Sequence, residues 1–144
     1  MSMAVLCASN LRQVGLGCIM YANDNNGHWP DDLSHMMIAE DVAPEIFVCP
    51  AGSDTPAAGP TTQAIAANFA LPGHNSYVYL GKGLVEPLAP NLVVAYERPQ
   101  PKGHPGTNVL FADGHVERLD ASVATTFLRT AQASSTAFAW TPAK

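Results

Sequence analysis

Three sets of residues in this chain are of types that could do chemistry. His104, Asp113 and His115 bring two imidazoles and a carboxylate into one short stretch. Such a set could hold a divalent ion and activate water, as a metal-assisted hydrolase does. Asp24 and Asn26 sit in the oxygen-rich run Asn23-Asp24-Asn25-Asn26-Gly27, and turns of that kind can bind calcium. Cys7, Cys18 and Cys49 offer three thiols.

Each set also has a plainer structural reading, and in each case it is the stronger one. Asp113-Gly114 joins two apolar runs. An Asp-Gly pair between strands favours a two-residue type I′ hairpin turn, because both positions take positive φ. That explains Asp113 and Gly114 without a substrate and leaves His104 as a loop histidine that bonds nearby backbone. The Asn-rich run stops a helix, and no Glu closes an EF-hand loop at the required distance, so capping explains it better than calcium does. Cys7 and Cys18 on one helix would lie about 16 Å apart along its axis, too far to bridge. Any disulfide therefore joins Cys49 to Cys7 or to Cys18, but the favoured reading is three reduced, buried thiols. No cysteine pair has zinc-finger spacing. No serine sits in a G-x-S-x-G elbow, and there is no phosphate loop and no H-E-x-x-H. Asp31 and Asp32 are adjacent, point different ways and make no acid/base pair. The chain reads as non-enzymatic, with no cofactor beyond the weak calcium candidate at Asp24 and Asn26.

The elements that must position these residues begin with Ala4 to Tyr21. Cys7, Leu11, Val14, Cys18 and Tyr21 recur at steps of four and three, which is one stripe along a helix. Asn10, Arg12 and Gln13 lie off the stripe. Gly15 and Gly17 each cost roughly 1 kcal/mol against Ala in a helix interior, so a close approach is expected there. Asp31 is positioned to cap a short second helix that buries Leu33, Met36 and Met37. Ile46 to Pro50 reads as a short buried run, and residues 51–67 as a long surface loop. Residues 76–119 turn to β, with strands at Ser76–Leu80 and Asn91–Glu97 and a hairpin over Thr107–Leu119. The two-residue turn pairs Phe111 with Val116 and Val109 with Arg118, and faces Val109, Phe111 and Val116 to the core. Asp120 caps a last helix over 120–132, with Val123, Phe127, Leu128 and Ala131 inward. Residues 134–144 read as a loose tail, onto which Phe138 and Trp140 bring docking groups. A long helix followed by antiparallel strands, with no βαβ alternation, gives an α+β fold.

Composition narrows the partners. The 144 residues are 47% hydrophobic and 13% charged, as expected for one packed domain. Net charge is −5, and the seven Lys and Arg are scattered, so no basic patch exists for nucleic acid. No continuous apolar run approaches the roughly 18 residues of a membrane span, so the chain as written reads as soluble.

Two groups of residues taken together resemble bacterial type II secretion-like pseudopilins. One is Cys7-Ala8-Ser9-Asn10-Leu11-Arg12-Gln13-Val14-Gly15-Leu16, followed by Tyr21-Ala22-Asn23-Asp24-Asn25-Asn26-Gly27 and Trp29-Pro30. The other is His104 with Asn108-Val109-Leu110-Phe111-Ala112-Asp113-Gly114-His115-Val116, which is similar to the prepilin-associated motif written as His, nine residues, Asp-Gly. Here eight residues separate His104 from Asp113, one fewer than in that motif. Phe47-Val48-Cys49-Pro50 sits where such proteins often carry a Cys-Pro pair. The resemblance implies a pilin-like fold, a long N-terminal helix packed on an antiparallel sheet with short accessory helices. It also implies a membrane-anchored precursor in the cell envelope, outside the cytoplasm. A basic leader, a cleavage and methylation site and about 20 apolar residues would precede the present start. Other pilin-like subunits would pack through that apolar half-helix. Some pseudopilins are calcium-dependent, which keeps Asp24 and Asn26 in view. The rival expectation is an extracytoplasmic binding module that presents residues 51–67 to a small molecule or glycan. With the helical seam consumed by the chain's own sheet, the domain is expected to be monomeric and not membrane-bound.

Overall fold

A computed structural model describes residues 2–100 and 103–141. Met1, Pro101, Lys102 and residues 142–144 lie outside the described residues, and with them part of the loop before the hairpin and the end of the expected tail. Helix α1 (Met3–Asp24) starts at Ser2, whose hydroxyl accepts the Val5 amide. It ends in a left-handed cap. Asn26 has φ 55°, and the Gly27 amide reaches back to the Ala22 carbonyl at 2.8 Å. Cys7, Leu11, Val14 and Cys18 are buried, as the stripe predicts, and Arg12 is exposed.

Among the described residues, three further α-helices and five strands follow, in the order α2 (Leu33–Ala39), a 3-10 turn (Pro44–Phe47), α3 (Thr62–Phe69), β1 (Tyr77–Tyr79), β2 (Leu92–Glu97), β3 (Thr107–Phe111), β4 (Val116–Leu119), α4 (Ala121–Gln132) and β5 (Phe138–Ala139). The sheet is antiparallel in the order β1-β2-β3-β4, and β5 adds a third pairing to β2. The architecture is α+β. Helix α1 lies across β3 and β4 on one face, and α4 packs on the other.

All of β3 is buried, because its two faces serve two cores. Leu110 and Ala112 join the α1 core with Val94 and Met36. Val109 and Phe111 join Tyr96, Phe127 and Ala131 on the other side. The helical glycines mark close approaches. A Cβ on residue 15 would stand 2.6 Å from Leu110 Cδ1, and one on residue 17 would stand 2.6 Å from Met36 Sδ.

Several expectations are corrected. The hairpin loop has three residues, not two. The Gly114 amide bonds the Phe111 carbonyl at 2.9 Å, and only Gly114 (φ 91°) takes positive φ; Asp113 does not. This is a type I turn followed by a left-handed glycine. The register therefore slips by one, so that Leu110 faces Val116 and Val109 faces Glu117. Val116 consequently packs in the α1 core rather than beside Phe111. Asp32, not Asp31, caps α2 by accepting the His35 amide. The run at Ile46 is a 3-10 turn, because Pro44 opens it. The expected loop ends in helix α3, capped by Thr61. The tail is docked: β5 pairs with β2, and Phe138 and Trp140 pack on Phe127.

The outer side of α1 is also more apolar than the seam argument requires, with Met3, Val5, Leu6, Leu16 and Met20 exposed. By length and composition α1 could cross a membrane, since Ala, Gly and Cys raise its apolar content without forming a continuous run. Here it packs on the sheet.

Two glycines frame β3, and they should respond differently to a methyl group. Gly106 (φ 74°) would place a Cβ 2.1 Å from the Leu119 carbonyl oxygen, whereas Gly114 would meet only the tip of Ile19 at 3.1 Å. Gly114→Ala should cost about 1–2 kcal/mol, the ordinary penalty for a left-handed residue. Gly106→Ala should exceed about 3 kcal/mol, because backbone must move as well. Urea unfolding of both variants checks the order, and equal midpoints would contradict it.

Candidate functional site

Strand β2 carries Val93-Val94-Ala95-Tyr96 into the two cores and then delivers Glu97 to the α1 side at its end. Asn108, one residue into β3, stands beside it on the same face. The Asn108 amide donates to Glu97 Oε1 at 3.1 Å, and its side-chain Nδ2 donates to the same oxygen and to the Ala4 carbonyl of α1 at 3.1 Å. The loop between the strands returns His104 to the other carboxylate oxygen, with Nε2 2.7 Å from Glu97 Oε2. His104 Nδ1 lies 2.9 Å from the Pro105 carbonyl. A carbonyl can only accept, so Nδ1 carries the hydrogen and donates it. Both side chains of the Glu97–His104 pair are 7% exposed. Burial pushes the Glu97 carboxyl above the ordinary carboxylate value, against the opposing pull of His104 and the Asn108 donors.

Beside this pair lies a disulfide joining Cys7 of α1 to Cys49, Cα to Cα 4.8 Å. The expectation of three reduced thiols is thereby corrected, and of the two pairings open to Cys49 the fold takes Cys7. The reason is placement. The turn before Cys49 packs under the first half of α1, where Asn10 Nδ2 donates to the Val48 carbonyl at 3.0 Å, while Cys18 sits deep in the core. Cys49 is also held from the sheet side, its amide bonding Ser76 Oγ at 2.8 Å. Ser76 Oγ donates in turn to Asp54, which pairs with Arg98 at 3.0 Å. The cross-link closes 42 residues, which removes about 4 kcal/mol of chain entropy from the unfolded state. Cys18 is free, and burial raises its pKa, which keeps it an unreactive thiol. One ligand-capable atom from each of Cys7, Cys49, Glu97 and His104 lies within 4.8 Å of the others.

The other residues singled out from the sequence are placed elsewhere. Asp113 and His115 meet at the hairpin tip, where Asp113 accepts the His115 amide at 3.0 Å and touches its ring. Despite some desolvation, these His115 contacts hold the Asp113 carboxyl below its usual value. The His115 ring stacks on Phe111 with centroids 4.4 Å apart. Strand β3 separates this tip from His104 by roughly 14 Å, so the trio His104, Asp113 and His115 does not converge. Asn26 serves the α1 cap. Glu40 is raised by desolvation and by the nearby Asp24 carboxylate. Residues 69–73 just beyond the expected loop, with Asp31, Tyr79, Lys82 and Arg98, line an open cavity of about 680 Å³.

Glu97 and Asn108 were missed as site residues. The signal for Asn108 is a residue of low β propensity inside an otherwise apolar strand run. Glu97 carries no local signal, since a carboxylate at a strand end reads as solvated. Compared with protein-family models, with characterised proteins and with solved structures, the chain matches none.

Glu97→Ala should cost about 3–5 kcal/mol, because His104 and the Asn108 donors would be left buried without their acceptor. Glu97→Gln keeps an oxygen for Asn108 and should cost well under half of that. Guanidinium unfolding of both variants distinguishes this from a loss of under about 1 kcal/mol in each, the result expected of a solvated pair.

Proposed function

We propose that the chain is the soluble domain of a pseudopilin-like structural subunit, non-enzymatic, from a type II secretion or type IV pilus-like system held in the cell envelope. The observation that carries this reading is helix α1. One side of it is consumed by the sheet, while Met3, Val5, Leu6, Leu16 and Met20 remain exposed along the rest. An apolar half-helix continued from its N-terminal end would extend that strip and give neighbouring subunits a continuous surface. The Cys7–Cys49 disulfide suits an oxidising, extracytoplasmic compartment. Structural jobs for His104 and for Asp113-Gly114 support the non-enzymatic assignment. The strip on the domain alone is interrupted by Asn10, Arg12 and Gln13, so the short form stays monomeric and off membranes.

One observation favours a second reading. The 680 Å³ cavity has the size of a small-molecule site and mixes Phe69, Leu71 and Tyr79 with Asp31, Lys82 and Arg98. A binding module for a small molecule or glycan would use it.

The test extends Met3 with an apolar half-helix of about 20 residues and expresses the result beside a pilus-like assembly system. The extended chain should float with vesicles and cross-link to other subunits through α1. Leu16→Lys with Met20→Lys should abolish the cross-links while changing the soluble domain's stability by no more than about 0.5 kcal/mol. Cross-linking that survives the double variant would remove α1 as the assembly surface. A glycan or small molecule that raises Tm, with the rise lost in Lys82→Ala, would favour the binding module.

A further inference from the structure

We propose that Cys7, Cys49, His104 and Glu97 form, once the disulfide is reduced, a four-ligand site for a divalent cation of zinc's class. The inference is independent of the subunit reading. It starts from a mismatch: a structural disulfide gives no reason to bury a carboxylate and an imidazole beside it, since its sulfurs satisfy neither. The four groups nevertheless converge from four separate places, helix α1, the turn at Cys49, the end of β2 and the loop before β3. Their ligand atoms lie within 4.8 Å of one another. A tetrahedral zinc ion with bonds of about 2.0–2.3 Å needs them roughly 3.3–3.8 Å apart, a change that side-chain rotation supplies once the sulfurs separate. Two thiolates, one imidazole and one carboxylate are a donor set that this ion accepts.

The surrounding groups are those a metal centre requires. His104 Nδ1 donates to the Pro105 carbonyl, which turns Nε2 inward as the ligating nitrogen. Glu97 Oε1 is occupied by Asn108, which leaves Oε2 facing His104 and the cluster. A cavity of about 20 Å³, room for a single ion or water, is bounded by three of the four groups, Cys49, Glu97 and His104, together with Arg98 and Gly103. In the disulfide form one proton is shared between Nε2 and Oε2, and the cation takes that proton's place.

The steps balance as follows. A dithiol reductant delivers two electrons and two protons to the Cys7–Cys49 bond and is itself oxidised to a disulfide. The S–S bond breaks to two thiols. The cation then displaces both thiol protons and the proton shared by Glu97 and His104, and all three leave to solvent. Disulfide and ion are mutually exclusive because they use the same sulfurs, so the site retains metal only where dithiols keep it reduced.

The experiment uses the full chain with Cys18→Ala, so that every remaining thiol belongs to the cluster. The oxidised and dithiol-reduced forms are each titrated anaerobically with Co²⁺ and then Zn²⁺, with the fluorescence of Trp29 and Trp140 reporting the fold. The reduced form should bind one Co²⁺ with thiolate-to-cobalt charge-transfer absorption, and Zn²⁺ should displace it. The oxidised form should show neither. His104→Ala and Glu97→Gln, each reduced, should bind at least about tenfold more weakly, the loss that even outer partners of a metal site cause. A folded reduced chain without the cobalt spectrum overturns the proposal. So does binding undiminished in His104→Ala, or a reduced chain that unfolds and that neither ion refolds.

Discussion

Leu110 can lie against helix α1 only because residue 15 has no side chain. A Cβ there would stand 2.6 Å from Leu110 Cδ1, so the leucine tip would have to leave its present position against the helix. Burying that leucine is worth about 2–3 kcal/mol, more than the roughly 1 kcal/mol that a glycine costs inside a helix. The close packing also sets the height of α1 over β3. At that height the Ala4 carbonyl meets Asn108, and Cys7 meets Cys49. The disulfide and the buried polar group at the end of the sheet both depend on how α1 packs on β3 and on the turn before Cys49.

The polar group is costly. Glu97, His104 and Asn108 are all removed from solvent, and a buried ion pair often repays no more than its desolvation. Its contribution is therefore read better as specificity than as net stability. Each oxygen of Glu97 has an assigned partner, which fixes where His104 and Asn108 stand relative to the end of β2. The stabilisation comes from the two cores on either side of the sheet and from the cross-link, which limits the unfolded chain.

The histidine and the Asp-Gly pair take on a common meaning in this light. They bracket β3. His104 ties the entry of the strand to β2, and Asp113-Gly114 turns its exit back into β4. The eight intervening residues are the length of one short strand with its flanks. The central strand, buried on both faces, is thus held at both ends. This supports a structural role for His104 and Asp113-Gly114, and it places the disulfide, imidazole and carboxylate groups together at the entry of the strand.

The sequence by itself determined what depends on near neighbours. The four-three spacing of Cys7, Leu11, Val14 and Cys18 specified a helix and its buried side. The Asn run specified the helix's end, Asp120 the start of α4, and Asp113-Gly114 a hairpin. Even there the register was out of reach. Two-residue and three-residue Asp-Gly loops differ in whether one or two residues take positive φ, and a single slip moves Val116 to the opposite face. Only the tertiary structure decided which cysteine pairs with Cys49, that Glu97 and Asn108 are buried, and that His104 lies beside them. These groups are as much as 104 residues apart, as Asn108 and Ala4 are. Their contacts follow from the height at which a helix settles on a sheet, a property of packed volumes that no local spacing encodes.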